Sequence, residues 1–278
     1  MPIFTAPDGT PLAYHARGAG EPLVVLPGGP MRASRYLGDL GGLTAHRRLI
    51  LLDLRGTGDS AVPADPATYR CDRQVDDVEA LRVHLGLERI DVLAHSAGGS
   101  LALLYAARHP HRVSRLALIT ATPWALGRPA TAGDRLAAAR LRADEPWFAA
   151  AFPAFEAWLA GDDDPDWALV APFFHGRWDD TARALEAAAD DEQTNSEAEH
   201  RFLDPAAFDP PALRTALAAV TAPVLVLAGE LDGGPRPALA RLVADAFPNA
   251  EFTVQPGAGH YPWLDDPDSF VGRVGSFL

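Results

Sequence analysis

The 278-residue chain carries a formal charge of −13, is 48% apolar and 22% charged, and contains a single cysteine. That length suits one large α/β domain or a core carrying an inserted subdomain. The negative balance repels phosphate backbones and anionic lipid heads, so nucleic-acid and membrane partners are set aside, and a lone Cys71 can form neither an intrachain disulfide nor a cysteine-based metal cluster.

In chain order, short β-like runs stand at 12–18, 22–27, 48–53, 90–95, 115–120, 223–229 and 251–257. Most are continuous apolar runs such as "PLVVLP" and "PVLVLAG", the signature of strands covered on both faces. Helical patterns lie between them. "QVDDVEALRVHLGL" sets Val75, Val78, Leu81, Leu85 and Leu87 near one stripe, and "SLALLYAARHP" and "ALARLVADAFP" behave likewise. Alternation of this kind predicts a mostly parallel sheet flanked by helices, an α/β fold.

The alternation breaks between Trp124 and Ala218, an alanine-rich, helical interval with no parallel strand and most of the large aromatics. It reads as a helical lid (124–218) inserted into a core made of 1–123 and 219–278. Most of its aromatics are expected to pack lid helices together. A few, Phe173 and Trp178 among them, are expected to line a pocket, because a lid over a catalytic sheet excludes water. The acidic stretch "DDEQTNSEAE" reads first as a solvated helix face.

The chemistry is concentrated at "VLAHSAGGSLALLYA". Ser96 follows a buried strand and precedes a helix, and Ala94, Ala97, Gly98 and Gly99 around it are all small. A strand that turns at once into a helix brings backbone segments together, so only small side chains fit there. Such a turn lifts the hydroxyl above the carboxyl ends of the strands, where open α/β sheets bind ligands. A serine hydroxyl needs a base, and the base an orienting acid. Asp232 lies just beyond the run at 223–229 and His260 just beyond the last one, in a glycine-rich loop. Glu230 is the rival acid, set closer to the strand end; His95 is expected to point away from the turn. The loop "LPGGPMRAS" after the run at 22–27 brings backbone close to substrate, so the N–H groups of Ala97 and Gly29, with Gly28 as fallback, are the expected oxyanion donors.

"PGGP" (27–30), "DLRGTGDS" (53–60) and "AHSAG" (94–98) together resemble the α/β-hydrolases, and in particular the proline iminopeptidase branch, with its His-Gly-Gly-Pro, Asp-x-Arg-Gly-x-Gly-x-Ser and Gly-x-Ser-x-Gly motifs. The resemblance spans roughly the first 120 and last 60 residues and weakens in the lid. Pro27, Met31 and Ala94 depart from the pattern, the first two in the oxyanion loop. The resemblance implies that Asp53, Arg55 and Gly58 fix the loop beside the serine turn without performing chemistry. It also implies that lid glutamates hold the substrate's free amine; here Glu197 and Glu199 in "NSEAEHRFL" flank the expected spot.

The resulting expectation is a cofactor-free serine hydrolase that cleaves an ester or amide of a small molecule or short peptide. It is read first as proline iminopeptidase-like, with esterase, lactonase or thioesterase action on a hydrophobic metabolite as the alternative and a non-catalytic ligand-binding module as the second. All 24 basic residues are arginine, which excludes lysine Schiff-base chemistry. A dehalogenase would want a carboxylate where Ser96 stands, and the scattered histidines offer no His-Glu-x-x-His metal spacing. The start "MPIFTAPDGTPL" lacks a basic segment followed by an apolar one, so a cytoplasmic location is expected.

Overall fold

A computed structural model describes residues 1–188 and 194–278. Eight strands form a single sheet in the order β1-β2-β4-β3-β5-β6-β7-β8. They are β1 (Ile3–Thr5), β2 (Pro11–Arg17), β3 (Pro22–Leu26), β4 (Arg48–Leu52), β5 (Ile90–His95), β6 (Val113–Ile119), β7 (Val224–Gly229) and β8 (Ala250–Gln255). β2 pairs antiparallel with β1 and β4, and the remaining neighbours are parallel. Seven strands coincide with the apolar runs to within two residues. β1 is the addition: three residues with only Phe4 buried carry too little pattern to be read.

The period of two along each strand divides the interior between the sheet's faces. Val24, Leu26, Val92, Ala94, Val224 and Val226 enter one core, while Leu23, Val25, Leu93, Leu225 and Leu227 enter the other. The first face is covered by α1 (Cys71–His84) and α2 (Gly98–Arg108), with Val75, Val78, Leu81 and Leu101 pointing inward.

Among the described residues no strand interrupts the stretch between β6 and β7. It holds α3 (Ala132–Ala139), α4 (Phe148–Leu159), α5 (Trp167–Val170), α6 (Asp180–Ala187), α7 (Ser196–Phe202) and α8 (Pro210–Leu217). Ala139, Ala151, Phe155, Val170 and Phe173 form a small core of their own. Ala198 and Phe202 of α7 and Leu213 and Leu217 of α8 instead join the large core beside α2. These two helices therefore pack with the sheet-covering layer, although the chain reaches them before β7. Residues 190–193 of the acidic stretch lie outside the described residues; Ser196 and Glu197 beyond them are exposed. After β7 come α9 (Pro237–Ala244), α10 (Pro262–Asp265) and α11 (Pro267–Phe277), and α11 sets Phe270 and Val274 into the second core.

The loop after β4 braces the loop after β3. Asp53 accepts hydrogen bonds from the amide and hydroxyl of Ser34, at 2.8 and 2.7 Å, and from the Asp59 amide at 3.0 Å. Arg55, 2% exposed, grips Asp77 of α1 with two nitrogens at 2.8 and 2.5 Å and reaches Asp8 at 2.7 Å. Removing one member of a buried pair leaves the other charge without compensation. Arg55→Met is therefore expected to cost about 3–5 kcal/mol of stability at neutral pH, measured by urea unfolding. Adding Asp77→Leu to that variant should recover part of the loss, whereas an additive further loss would contradict the pairing.

Candidate active site

Ser96 sits between β5 and α2 with φ = 52°, in the left-handed region that a non-glycine residue occupies only when its surroundings hold it there. They do. Its amide donates to the Ile119 carbonyl at 3.0 Å, and its carbonyl accepts from the amides of Gly99 and Thr122 at 2.9 and 3.2 Å. The small neighbours have a steric cause: a Cβ on Gly98 would stand 2.4 Å from the Pro27 carbonyl oxygen. α2 therefore starts pressed against the loop after β3, with its amino end facing the hydroxyl.

Three side chains distant in sequence meet at the carboxyl rim of the sheet. His260 Nε2 lies 2.9 Å from Ser96 Oγ, and His260 Nδ1 lies 2.8 Å from Asp232 Oδ2. A carboxylate only accepts, so Nδ1–H donates to Asp232, and Nε2 is left to accept the Ser96 O–H. The other Asp232 oxygen accepts the Gly234 amide at 2.8 Å, and the carboxylate is 1% exposed. Glu230 is elsewhere: it is exposed and accepts the Gly257 amide at 2.8 Å.

The two glycines of the loop after β3 differ in their hydrogen bonding. The Gly28 amide is already committed, donating to the Tyr36 hydroxyl at 2.7 Å. Gly29 lines the cavity above Ser96, and among the described residues neither its N–H nor that of Ala97 is given to another protein group.

His95 is nearer the centre of the site than its sequence position suggests. Tyr36, having accepted from Gly28, donates its O–H to His95 Nδ1 at 2.6 Å, and His95 Nε2–H donates to the carbonyl of His260 at 2.9 Å. A carbonyl can only accept, which fixes the tautomer. Thr120 Oγ1 donates to the same carbonyl at 3.0 Å, and the His260 amide donates to the Phe174 carbonyl at 2.7 Å. His95 is 2% exposed, and burial, helped by His260 beside it, holds its pKa well below the ordinary histidine range.

A cavity of about 560 Å³ opens over Ser96 and His260. Trp124, Trp158, Trp167 and Phe174 form much of its apolar wall, and Arg32, Arg135, Glu186 and Glu199 its charged part. Glu186 is engaged by His175 at 2.7 Å and by the Trp167 indole at 3.3 Å. Of the two expected lid glutamates, Glu199 reaches this cavity, with a carboxyl raised by burial, while Glu197 is exposed beside a separate cleft with Gly56 and Thr57. Phe173 and Trp178 do not line it: Phe173 is 6% exposed within the small helical core, and Trp178 packs on His175 with ring centroids 5.5 Å apart. The tight turn at 171–174 puts Phe174, one residue on, into the cavity instead. One set of metal-capable side chains occurs among the described residues, His15, Asp53 and Asp59, with Asp53 already bound by Ser34.

The sheet order, the serine turn and the late histidine loop define a class, and residues 21–267 match the alpha/beta hydrolase fold family, to which the chain belongs. A curated relative, the proline iminopeptidase of Heyndrickxia coagulans, is 24% identical over 95% of this chain and 93% of its own length. Among solved structures, the proline iminopeptidase of Mycobacterium smegmatis is similar with a TM-score of 0.71 and 27% identity, covering 99% of this chain and 97% of that one. The enol-lactonase of Burkholderia xenovorans LB400 is similar at 0.71 and 24% identity, covering 100% and 99%. No helix among the described residues is long and apolar enough to cross a membrane.

The Tyr36–His95–His260 link generates a test of stability. His95→Ala strands a buried hydroxyl and removes one donor from the His260 carbonyl, an expected loss of about 1–3 kcal/mol in urea unfolding at pH 7.5. The folded imidazole resists protonation while the unfolded one titrates near 6.5. Its contribution is therefore complete above about pH 6.5 and declines as pH falls below that value, because the unfolded chain then binds the extra proton. The gap between wild type and His95→Ala should accordingly narrow between pH 7 and 5, and a gap that widens would contradict this assignment.

Proposed function

We propose that the chain is a serine hydrolase acting on a small ester or amide substrate, with Ser96 as nucleophile, His260 as base and Asp232 as the orienting acid. The observation that carries this reading is the unbroken hydrogen-bonded series Ser96–His260–Asp232 beneath an open cavity. Ser96 Oγ attacks the substrate carbonyl as its proton passes to His260 Nε2, and the imidazolium is stabilised by Asp232. The negative oxygen of the tetrahedral intermediate rests on the N–H groups of Ala97 and Gly29, at the amino end of α2. His260 returns the proton to the leaving group; a water, deprotonated by the same ring, then releases the acyl group from Ser96. The residues between β6 and β7 act as a lid that keeps bulk water from the acyl-enzyme. No step calls for a cofactor, and a cytoplasmic setting goes with this proposal.

A proline iminopeptidase-like substrate, an amide with a free amine, is favoured by the Heyndrickxia and Mycobacterium relatives and by Glu199, a half-buried carboxylate in the cavity wall. Ester or lactone hydrolysis is the second reading, favoured by the aromatic wall of Trp124, Trp158, Trp167 and Phe174 and by the enol-lactonase neighbour.

A fluorophosphonate probe is expected to label the wild type and not Ser96→Ala, with turnover in that variant lowered by at least about 10³-fold. Labelling that survives the substitution would remove Ser96 from the mechanism. Proline arylamide and short-chain aryl esters separate the substrate readings. Amide cleavage lost in Glu199→Gln supports the first, and cleavage of esters alone supports the second.

A further inference from the structure

Among the described residues, Arg135 of the cavity wall makes no ion pair. Arg135 projects from α3, and its guanidinium lies 5.5 Å from the ring centre of Trp158 and 6.0 Å from that of Phe174. Its other side meets the turn after Asp232: a Cβ on Gly234 would stand 2.8 Å from an Arg135 nitrogen. The aromatic pair and the glycine turn therefore hold the head group in place at the cavity wall, together with Ser96 and His260.

Four buried arginines elsewhere are paired. Arg47 meets Asp91 at 2.5 Å, Arg55 meets Asp77 at 2.5 Å, Arg82 meets Glu79 at 2.6 Å and Arg142 meets Glu145 at 3.3 Å. Arg135 has neither a carboxylate within 4.0 Å nor a hydrogen-bond acceptor among the described residues. Asp232, the nearest acid in charge terms, has its two oxygens on His260 and Gly234. Glu186 is held by His175 and Trp167.

A guanidinium partly removed from water with no anion beside it is costly, and its fixed fork of donors suits a carboxylate. We propose that Arg135 is a specificity-determining residue that binds a free carboxylate on the substrate, so that the preferred substrates are compact apolar acids carrying the scissile ester or amide. This deepens the serine hydrolase reading and rests on it only for the word substrate. The binding itself requires no chemistry at Ser96. In the peptidase version the carboxylate is the terminus of a short peptide; in the ester version it is a second acid group on a hemiester. Either is consistent with a cavity of about 560 Å³ walled by indole and phenyl rings.

The test is calorimetric titration of the whole chain with 3-phenylpropionate and with 3-phenylpropionamide, the same shape without the charge. Wild type is expected to bind the acid about tenfold or more tightly than the amide, the size of one charge-assisted hydrogen-bonded contact. Arg135→Gln should bring the two affinities together, and Arg135→Lys should restore part of the difference. Equal affinities in wild type, or a preference for the acid that survives Arg135→Gln with a native circular dichroism spectrum, would overturn the proposal. Fluorophosphonate labelling of the same preparation reports on the serine hydrolase reading alone, so the failure of one is distinguishable from the failure of the other.

Discussion

The site depends on how the backbone of His260 is held. Its carbonyl receives hydrogen bonds from His95 Nε2 and Thr120 Oγ1, and its amide gives one to the Phe174 carbonyl. Three elements therefore meet on the backbone of one residue: the serine turn, the end of β6, and the helical segment between β6 and β7. With the main chain fixed from these directions, the imidazole has little to do but bridge Ser96 and Asp232. A loop residue tied only by its side chain would lose that geometry to small shifts of the loop, and an error of about 1 Å is enough to weaken a catalytic contact severely.

The same contact joins the helical segment to the core at the level of backbone. A Cβ on Gly259 would stand 2.5 Å from the Phe174 carbonyl oxygen, so the two chains pass with no room for a side chain. Asp265 closes the join, its carboxylate accepting the amides of Gly259, Gly176 and Arg177 at 2.8, 2.9 and 3.0 Å. Burial raises the Asp265 pKa, and those three backbone donors work against the rise. The part of the segment nearest His260 is thus tied to the core through its backbone, while the helices farther out pack on a small core that Phe174 joins to the second core of the sheet.

Much of this was legible in the sequence because the sheet advertises itself. Continuous apolar runs gave seven of the strands, and small residues around Ser96 are a steric necessity that any reader of the chain can infer. His260 and Asp232 were found because each follows a strand at the same rim. The loop after β3 and the helical segment between β6 and β7 were harder. Nothing in "PGGP" says that the Gly28 amide is taken by Tyr36, eight residues on, because that bond depends on a turn at 34–37 with no periodic signal. The His95 ring points away from the Ser96 hydroxyl, and the carbonyl it reaches there lies 165 residues later in the chain, beyond any local pattern. Phe173 and Phe174 are chemically alike, and only the tight turn decides which faces the helical core and which the cavity. Arg135 gives no signal in the sequence, because whether a carboxylate comes within ion-pair distance of it is decided by the packing alone.

The two histidines at the centre illustrate how environment divides labour between identical side chains. Their ring centroids are 4.8 Å apart, so a positive charge on one would strongly oppose a positive charge on the other. His95 is enclosed by Tyr36, Tyr261 and Trp263, and its two nitrogens are already committed to an O–H donor and a carbonyl acceptor. Protonating it would turn Nδ1 into a second donor facing the Tyr36 hydroxyl, which already has the Gly28 amide pointing at it. Tyr36 would then have to surrender its own O–H bond to His95. Neutrality at His95 is consequently built into the bond pattern as well as into its burial. His260, with Asp232 on one side and the Ser96 hydroxyl on the other, is the ring of the pair that faces the cavity.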